Sequence, residues 1–162
     1  YEGTNGIQAL DLLGRKLSLK KGMVFMNLLG LLQGYIAEAK AVESLSAEAA
    51  VVETALNACV TNAMEYSGML KTNPFIPLLG AYDYMHCLSD CIAGALHLKM
   101  AVVATAALET ATGDRDKNFY TGKIESARFF VNRQTALVPA RCESIKQDET
   151  SAMRIPEEAF IV

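Results

Sequence analysis

The sequence has 162 residues, which is the length of one domain and excludes a self-sufficient multidomain enzyme. Hydrophobic residues make up 51% of it and charged residues 20%, so the chain can bury a sizeable core and is not intrinsically disordered. The 15 basic and 18 acidic residues give a net charge of -3 without a basic cluster, which excludes the electrostatic footprint of a nucleic-acid-binding protein.

The first half of the chain carries apolar residues at intervals of three and four, the spacing typical of amphipathic helices. This spacing predicts a first helix that begins at residues 4–5 and ends at 20–22, a second helix over 23–42 and a third over 47–70. Pro74 ends the third helix, because the residue before a proline disfavours the helical conformation. The uncharged stretch over 22–37 is shorter than the about 18 residues of a membrane span, so we predict a core helix there and no transmembrane segment.

The second half has the strongest helical period, over residues 75–112, and its wide apolar stripe predicts the central helix of a bundle. A fifth helix is predicted over 117–147, in which we expect Pro139 to kink the helix without ending it, because the period continues on both sides. Pro156 and the acids after it predict one short helical turn in the tail. The side chains expected to point inward on the fifth helix are Tyr120, Ile124, Ala127, Val131, Gln134, Val138, Cys142 and Ile145.

No strand pattern, internal repeat or low-complexity linker interrupts these helices. With 11 glycines and 4 prolines, the chain is also poor in the turn-forming residues that sandwiches and barrels of many short strands require. The sequence therefore predicts an all-α fold, an antiparallel four-helix bundle preceded by one helix.

Metal-binding and redox chemistry have weak candidates in the fourth predicted helix and in the cysteines. Asp83, His86 and Asp90, with His97 further along, form a polar line, but no second helix repeats the spacing that metal-carboxylate bundles use. We therefore predict no metal site and interpret the line as a solvated or interface-facing stripe. The cysteines lack CxxC spacing, which predicts neither a zinc site nor a disulfide framework but core thiols in a reducing cytoplasm. They are Cys59, Cys87, Cys91 and Cys142.

The N-terminal segment, residues 1–6, contains residue types that suit chemistry as well as packing. Glu2 stands beside Gly3, immediately before a predicted helix whose first free N–H groups attract an anion or a phosphate. On composition alone, an acid and a glycine before a helix are more often just a cap and a turn. The residue types by themselves leave both interpretations open.

Residues 1–16, with the sequence YEGTNGIQALDLLGRK, resemble the segment near the end of the catalytic core of the acyl-CoA dehydrogenases. The remainder resembles the helical C-terminal extension of the larger bacterial members of that family, of the 3-methylmercaptopropionyl-CoA dehydrogenase type. That second resemblance lies in the patches GKI at 122–124, ARFF at 127–130, SAM at 151–153 and EEAF at 157–160. It divides the chain into residues 1–19, the end of the catalytic core, and residues 20–162, the helical-bundle extension.

The resemblance implies an enzyme that removes the α-proton of an acyl-CoA thioester while the β-hydride passes to FAD, which leaves a trans-2-enoyl-CoA. It implies Glu2 as the catalytic base, whose pKa must be raised by desolvation because a carboxylate is a weak base for a C–H bond. It places the acyl thioester close to the backbone of Gly3. It also implies that FAD contacts Thr4, Asn5 and Gly6.

In such an enzyme the flavin-binding strands and the coenzyme A contacts precede Tyr1. The sequence starts without an initiator Met or a signal peptide, so we expect a piece of a longer bacterial cytoplasmic enzyme. The chain alone is expected to retain no FAD and to oxidise no acyl-CoA. The resemblance further implies an electron-transfer flavoprotein as electron acceptor and a homo-oligomer.

Two functions remain open for the extension. The preferred one is a structural or oligomerisation domain that packs on the dehydrogenase core or on a neighbouring subunit. The alternative is an independent helical binding module that docks a partner protein or a lipid surface, without catalysis. A large exposed apolar patch would favour docking of either sort, because monomeric proteins seldom leave such surface in water.

Overall fold

The fold is seen in a computed structural model of the chain, which describes residues 3–146 and 149–161. Its helices are α1 (Asn5–Asp11), α2 (Met23–Lys40), α3 (Ser46–Met69), α4 (Phe75–Leu79), α5 (Ala81–Thr110), α6 (Asp114–Arg133) and α7 (Val138–Ile145). A π-helical turn, Leu12–Lys16, continues α1, and 3₁₀ turns lie at Glu43–Leu45, Thr135–Leu137, Ser151–Arg154 and Glu157–Phe160. The described residues contain no strand, so the predicted all-α fold is confirmed.

The four long helices α2, α3, α5 and α6 form the bundle, and short connections make consecutive long helices antiparallel. Helix α5 is central because it packs against α2, α3 and α6, and also against α1 and α7. Its buried side chains include Tyr84, Leu88, Ala95 and Leu98. Among the described helices, α5 alone is long and apolar enough to cross a membrane by length and composition.

The predicted fourth helix is in fact two helices, because the chain bends at Gly80 between α4 and α5. A Cβ at Gly80 would overlap the Tyr66 hydroxyl and a methyl group of Ile145. Glycine is therefore needed here so that α3 and α7 can approach the backbone closely. The prediction of one uninterrupted helix over 75–112 was wrong because this requirement comes from distant parts of the chain.

The predicted fifth helix is also divided. Helix α6 ends at Arg133, a 3₁₀ turn follows, and Pro139 lies in the first turn of α7, where a missing backbone N–H costs no helical hydrogen bond. The predicted kink is thus a break, and Gln134 is exposed rather than inward. Thr135 is buried instead, and its Oγ1 donates a hydrogen bond to the Asp90 carbonyl at 3.2 Å.

The two ends of the chain also differ in detail from the prediction. The first helix ends earlier than expected, and residues 17–22 turn the chain into α2 through left-handed backbone at Lys20, Lys21 and Gly22, with φ of 49°, 59° and 83°. The tail has the predicted short helical turn as a 3₁₀ turn at Glu157–Phe160, with a further 3₁₀ turn at Ser151–Arg154, and residues 151–161 are exposed.

Candidate functional site

The predicted site residues precede and begin α1. Glu2 lies outside the described residues, so its role stays a prediction. Gly3 and Thr4 are exposed, and the Thr4 carbonyl accepts the Gln8 N–H at 2.8 Å, which begins the helix. A Cβ added at Gly3 or Gly6 would meet no atom within 4 Å. The segment therefore has open space beside its backbone.

Helix α1 is held to the bundle by one face only. Ala9 is buried, and so is Leu13 in the following π-helical turn, where this segment packs on α5. The opposite side presents Ile7, which is 66% exposed, and Leu10, which is 45% exposed. The predicted site thus lies at the edge of an uncovered apolar surface.

Two ion pairs stabilise the turn that follows α1. The Asp11 carboxylate accepts hydrogen bonds from Arg15 Nε at 2.6 Å and Nη2 at 2.8 Å, and Lys16 Nζ lies 3.3 Å away. The hydrogen bonds from Arg15, followed by those from Lys16, lower the pKa of Asp11, although burial partly opposes the shift. These contacts are exposed, so they orient the turn more than they stabilise the fold.

An apolar groove of about 490 Å³, here called the N-terminal groove, opens beside this turn. It lies between the π-helical turn, the start of α2 and the end of α3, and Leu17, Phe25, Met26 and Met64 are among its lining residues. Lys21 lies at the groove, next to Gly22. Met26 and Met64 are 61% and 67% exposed, so the groove is an open apolar surface rather than a closed cavity.

A second groove, of about 560 Å³, lies between α4, the start of α5 and α7 and is more polar. Asp83, His86 and Arg141 line it, and Arg141 Nη1 is 2.8 Å from Asp90 Oδ2. Asp90 of the predicted polar line therefore pairs with α7, whereas the His97 ring stacks on Phe130 of α6 with the ring centroids 4.6 Å apart. Within residues 3–146 and 149–161, no group of three or more His, Cys, Asp or Glu side chains is arranged to hold a metal ion.

The four cysteines meet in the core, which their positions in the sequence did not indicate. They come from α3, α5 and α7, are fully buried and free, and belong to one hydrophobic cluster. The neighbouring Cys142 thiol and burial away from water raise the pKa of Cys59 and of Cys87, so both thiols stay protonated. This arrangement keeps the thiols packed as small apolar groups.

Two polar side chains of α3 tie α7 to the bundle beside these cysteines. Asn62 Nδ2 donates to the Cys142 carbonyl at 3.1 Å, and the Tyr66 hydroxyl donates to the Ile145 carbonyl at 3.2 Å. These carbonyls belong to the last turn of α7, where no intrahelical donor remains. Sequence reasoning missed both contacts, since they join residues about 80 positions apart.

Comparison with known proteins gives consistent results. A family model described as "Acetyl-CoA dehydrogenase C-terminal like" matches residues 28–156. A butyryl-CoA dehydrogenase of Syntrophomonas wolfei is 35% identical over 162 residues, which are 99% of this chain and 26% of that protein. The broad-specificity linear acyl-CoA dehydrogenase FadE5 of Mycobacterium tuberculosis is 32% identical over 99% of this chain and 27% of its own length. The chain therefore spans about a quarter of the length of these relatives.

Proposed function

The chain belongs to the family of acetyl-CoA dehydrogenase C-terminal-like domains, and we propose that it is the C-terminal part of an FAD-dependent acyl-CoA dehydrogenase. The observation that carries this proposal is the similarity to three dehydrogenases, each matched over 99% of this chain. The all-helical bundle that the chain forms is consistent with it. The division of the chain at residue 19 remains a prediction.

The proposed parent enzyme oxidises an acyl-CoA thioester to the trans-2-enoyl-CoA. Bound FAD supplies the acceptor for the β-hydride. Glu2 takes the α-proton on a carboxylate oxygen, and its backbone N–H donates to the thioester oxygen and stabilises the enolate-like charge. The carboxylate must be desolvated to act as this base, because burial away from water raises the pKa of an acid. Another part of the enzyme therefore has to cover the Glu2 carboxylate and exclude water from it.

The residues after Glu2 fit close approach of a ligand. Gly3 has no atom within 4 Å of its potential Cβ position, which leaves room for the acyl thioester beside the backbone. Gly6 has the same free space, and Thr4 is exposed beside it. We assign FAD contacts to Thr4, Asn5 and Gly6 on this basis and on the family resemblance.

The isolated chain is proposed to be inactive and to act through its bundle as a structural or oligomerisation domain. The exposed position of Thr4 supports this, because FAD contacts from one side only give little binding free energy. Titration of the purified chain with FAD is expected to give no saturable binding. Stoichiometric binding with a flavin spectrum would contradict this part of the proposal.

The proposed setting is the bacterial cytoplasm, with an electron-transfer flavoprotein as electron acceptor and a homo-oligomeric enzyme. The four free buried thiols support a reducing compartment.

A second candidate function is docking on a lipid surface, which one observation favours. Helix α5 has the length and apolar character of a membrane span, and only 33% of its most apolar 18-residue window is buried. Its contacts with α2, α3 and α6 favour a bundle core helix instead. Flotation of the chain with phosphatidylglycerol vesicles would support the lipid-surface function, and recovery of the chain in the unbound fraction would contradict it.

The base assignment is tested in a hybrid in which this chain replaces the matched segment of the Syntrophomonas wolfei butyryl-CoA dehydrogenase. The hybrid is expected to bind FAD and to bleach its flavin absorbance when butyryl-CoA is added. Glu2→Gln should retain FAD but lower the bleaching rate by about 1,000-fold or more, because it removes the proton acceptor. Bleaching by E2Q at the unsubstituted rate would contradict the assignment of Glu2.

A further inference from the structure

The N-terminal groove has a buried apolar floor. Leu13, Leu29 and Tyr66 line it, and each of them is at most 5% exposed. The groove volume of about 490 Å³ lies within the range of about 300–1,000 Å³ that is typical of small-molecule sites. A surface of this kind binds hydrocarbon, because the contact removes apolar area of both partners from water. The groove therefore has the size and the lining to hold an alkyl chain.

The polar groups of the groove leave one charge without a partner. The Ser18 hydroxyl donates to the Arg15 carbonyl at 3.0 Å, and the Tyr66 hydroxyl donates to the Ile145 carbonyl at 3.2 Å, so both are already used within the fold. Among the described residues that line the groove, none is acidic and Lys21 alone is charged. A ligand with an apolar chain and a negatively charged head group is complementary to this lining.

The turn that carries this charge has an unfavourable backbone conformation. Lys20 and Lys21 have φ of 49° and 59°, although lysine has no side-chain group that favours the left-handed region. Such conformations persist where the surroundings hold them, and they cluster at ligand-binding segments. Neither lysine makes a hydrogen bond or an ion pair with a described residue. The turn thus presents two ammonium groups without partners, one of them at the groove.

We propose that the N-terminal groove is a binding site for a fatty carboxylate. The alkyl chain lies against Leu17, Phe25 and Met64, and the carboxylate accepts a charge-assisted hydrogen bond from the Lys21 ammonium. The volume of the groove favours a small molecule over a protein partner, and its single positive charge favours an anion over a neutral or cationic lipid. The site uses none of residues 1–6, so this inference goes beyond the proposed function and does not depend on it.

Isothermal titration calorimetry of the 162-residue chain with monomeric dodecanoate measures the binding. We expect one ligand per chain and a Kd of about 10–100 μM, which a ligand of this size can reach. Two control ligands separate the contributions of the chain and the charge. Butanoate keeps the carboxylate but has a short chain, and dodecyltrimethylammonium keeps the long chain but reverses the charge. Each should bind at least about 10-fold more weakly than dodecanoate.

Two results of this titration would overturn the proposal. One is the absence of saturable dodecanoate binding up to about 1 mM, which is about ten times the weakest expected Kd. The other is equal affinity for dodecanoate and dodecyltrimethylammonium, because the Lys21 ammonium would then make no contribution.

Two matched pairs of variants locate the site. Lys21→Met should weaken dodecanoate binding by about 5-fold through loss of one exposed ion pair, whereas Lys117→Met on α6 should change the Kd by less than about 2-fold. Met64→Glu places a carboxylate in the groove and should weaken binding by at least about 30-fold, whereas Val103→Glu on α5 should have no such effect. Equal binding by M64E and the unsubstituted chain would contradict the proposed site.

Folding of these variants is verified by circular dichroism. Met64 is 67% exposed and Val103 is 57% exposed, so both glutamate variants should keep the spectrum of the unsubstituted chain.

Methyl NMR of a chain labelled at its methionine methyl groups gives a readout that needs no groove variant. Dodecanoate should shift the signals of Met26 and Met64, which line the groove, and leave the signal of Met153 in place. Met26→Leu and Met64→Leu assign the two signals. Saturable binding that leaves both signals unshifted would show that the ligand lies elsewhere on the chain and would overturn the proposal.

Two further comparisons separate this inference from a lipid-surface function and from the proposed catalysis. Flotation with phosphatidylglycerol vesicles of a chain that binds no free dodecanoate would assign the groove to a lipid surface and refute the fatty carboxylate. Glu2→Gln should bind dodecanoate as the unsubstituted chain does. An active hybrid enzyme whose isolated chain binds no dodecanoate would refute this inference alone, and dodecanoate binding with an inactive hybrid would leave it intact.

Discussion

The two ends of the bundle finish their hydrophobic cores in different ways. At the end of the bundle where α5 meets α6, here called the far end, a small cluster that includes Leu45, Ala104 and Ile124 closes the core. The start of α6 carries five consecutive polar residues at 114–118, all exposed. At the N-terminal end, the N-terminal groove is lined by apolar side chains that include Met26 and Met64, which are 61% and 67% exposed. The start of α6 is therefore polar, whereas the N-terminal groove leaves apolar side chains open to water.

Both ends of the bundle carry paired and unpaired charges. At the far end, Arg128 donates to the Ser44 carbonyl at 2.9 Å and to Glu125 at 2.6 Å, so it links α6 to the start of α3. At the N-terminal end, Lys20 and Lys21 stay unpaired within the described residues. The two ends therefore differ in the apolar groove that one of them leaves open rather than in the pairing of their charges.

The largest expected effect on stability comes from beneath the N-terminal end, at Gly80. Gly80→Ala should lower the free energy of unfolding by about 2 kcal/mol, because the new methyl group overlaps the buried Tyr66 hydroxyl and Ile145. Gly34→Ala is the matched control on α2, where a Cβ meets nothing within 4 Å. It should raise the free energy of unfolding by about 0.5–1 kcal/mol through helix propensity.

Urea denaturation of both glycine variants measures this difference. Stabilisation by Gly80→Ala would show that the N-terminal end lacks the tight packing on which the comparison of the two ends depends.

A slightly smaller loss is expected at Asn62. Asn62→Ala removes the hydrogen bond to the Cys142 carbonyl and leaves that buried acceptor without its donor, which should cost about 1–2 kcal/mol. The unsatisfied Asn62 Oδ1 disappears at the same time, so the cost stays below the full penalty for a lost buried hydrogen bond. Asn57→Ala, on the exposed side of α3, should change stability by less than about 0.5 kcal/mol. Similar thermal midpoints for the two variants would contradict the assigned role of Asn62.

The smallest effect on stability has the opposite sign and comes from the strained turn. Lys21→Gly should stabilise the isolated chain by about 0.5 kcal/mol, because glycine adopts the observed φ of 59° without steric cost but gains entropy in the unfolded state. Destabilisation of the isolated chain by K21G would mean that the lysine side chain contributes to the fold.

The sequence was sufficient to predict the parts of the fold that depend on local periodicity. Helices α2 and α3 lie within two residues of their predicted bounds, because each keeps one apolar face over its length. The breaks at Gly80 and Gln134 were missed because they depend on tertiary contacts, with Tyr66 in the first case and between Thr135 and Gly94 in the second.

The candidate site divides in the same way. The site residues were predicted from the sequence motif at 1–6. The family is shown by the comparisons, which match most of the chain. The N-terminal groove and the thiol cluster were not predicted, because each joins side chains that are distant in the sequence. The role of Glu2 remains a prediction for experiment.

The most direct test of the central claim, that this chain completes an acyl-CoA dehydrogenase at its N-terminal end, is complementation in solution. The flavin-binding part of the Syntrophomonas wolfei enzyme, this chain, and their equimolar mixture are each given butyryl-CoA while the flavin absorbance is followed. We expect flavin bleaching by the mixture, none by either part alone, and bleaching that is about 1,000-fold slower or more in a mixture that contains E2Q. A complex that forms without bleaching its flavin, or bleaching that is unaffected by E2Q, would contradict the claim.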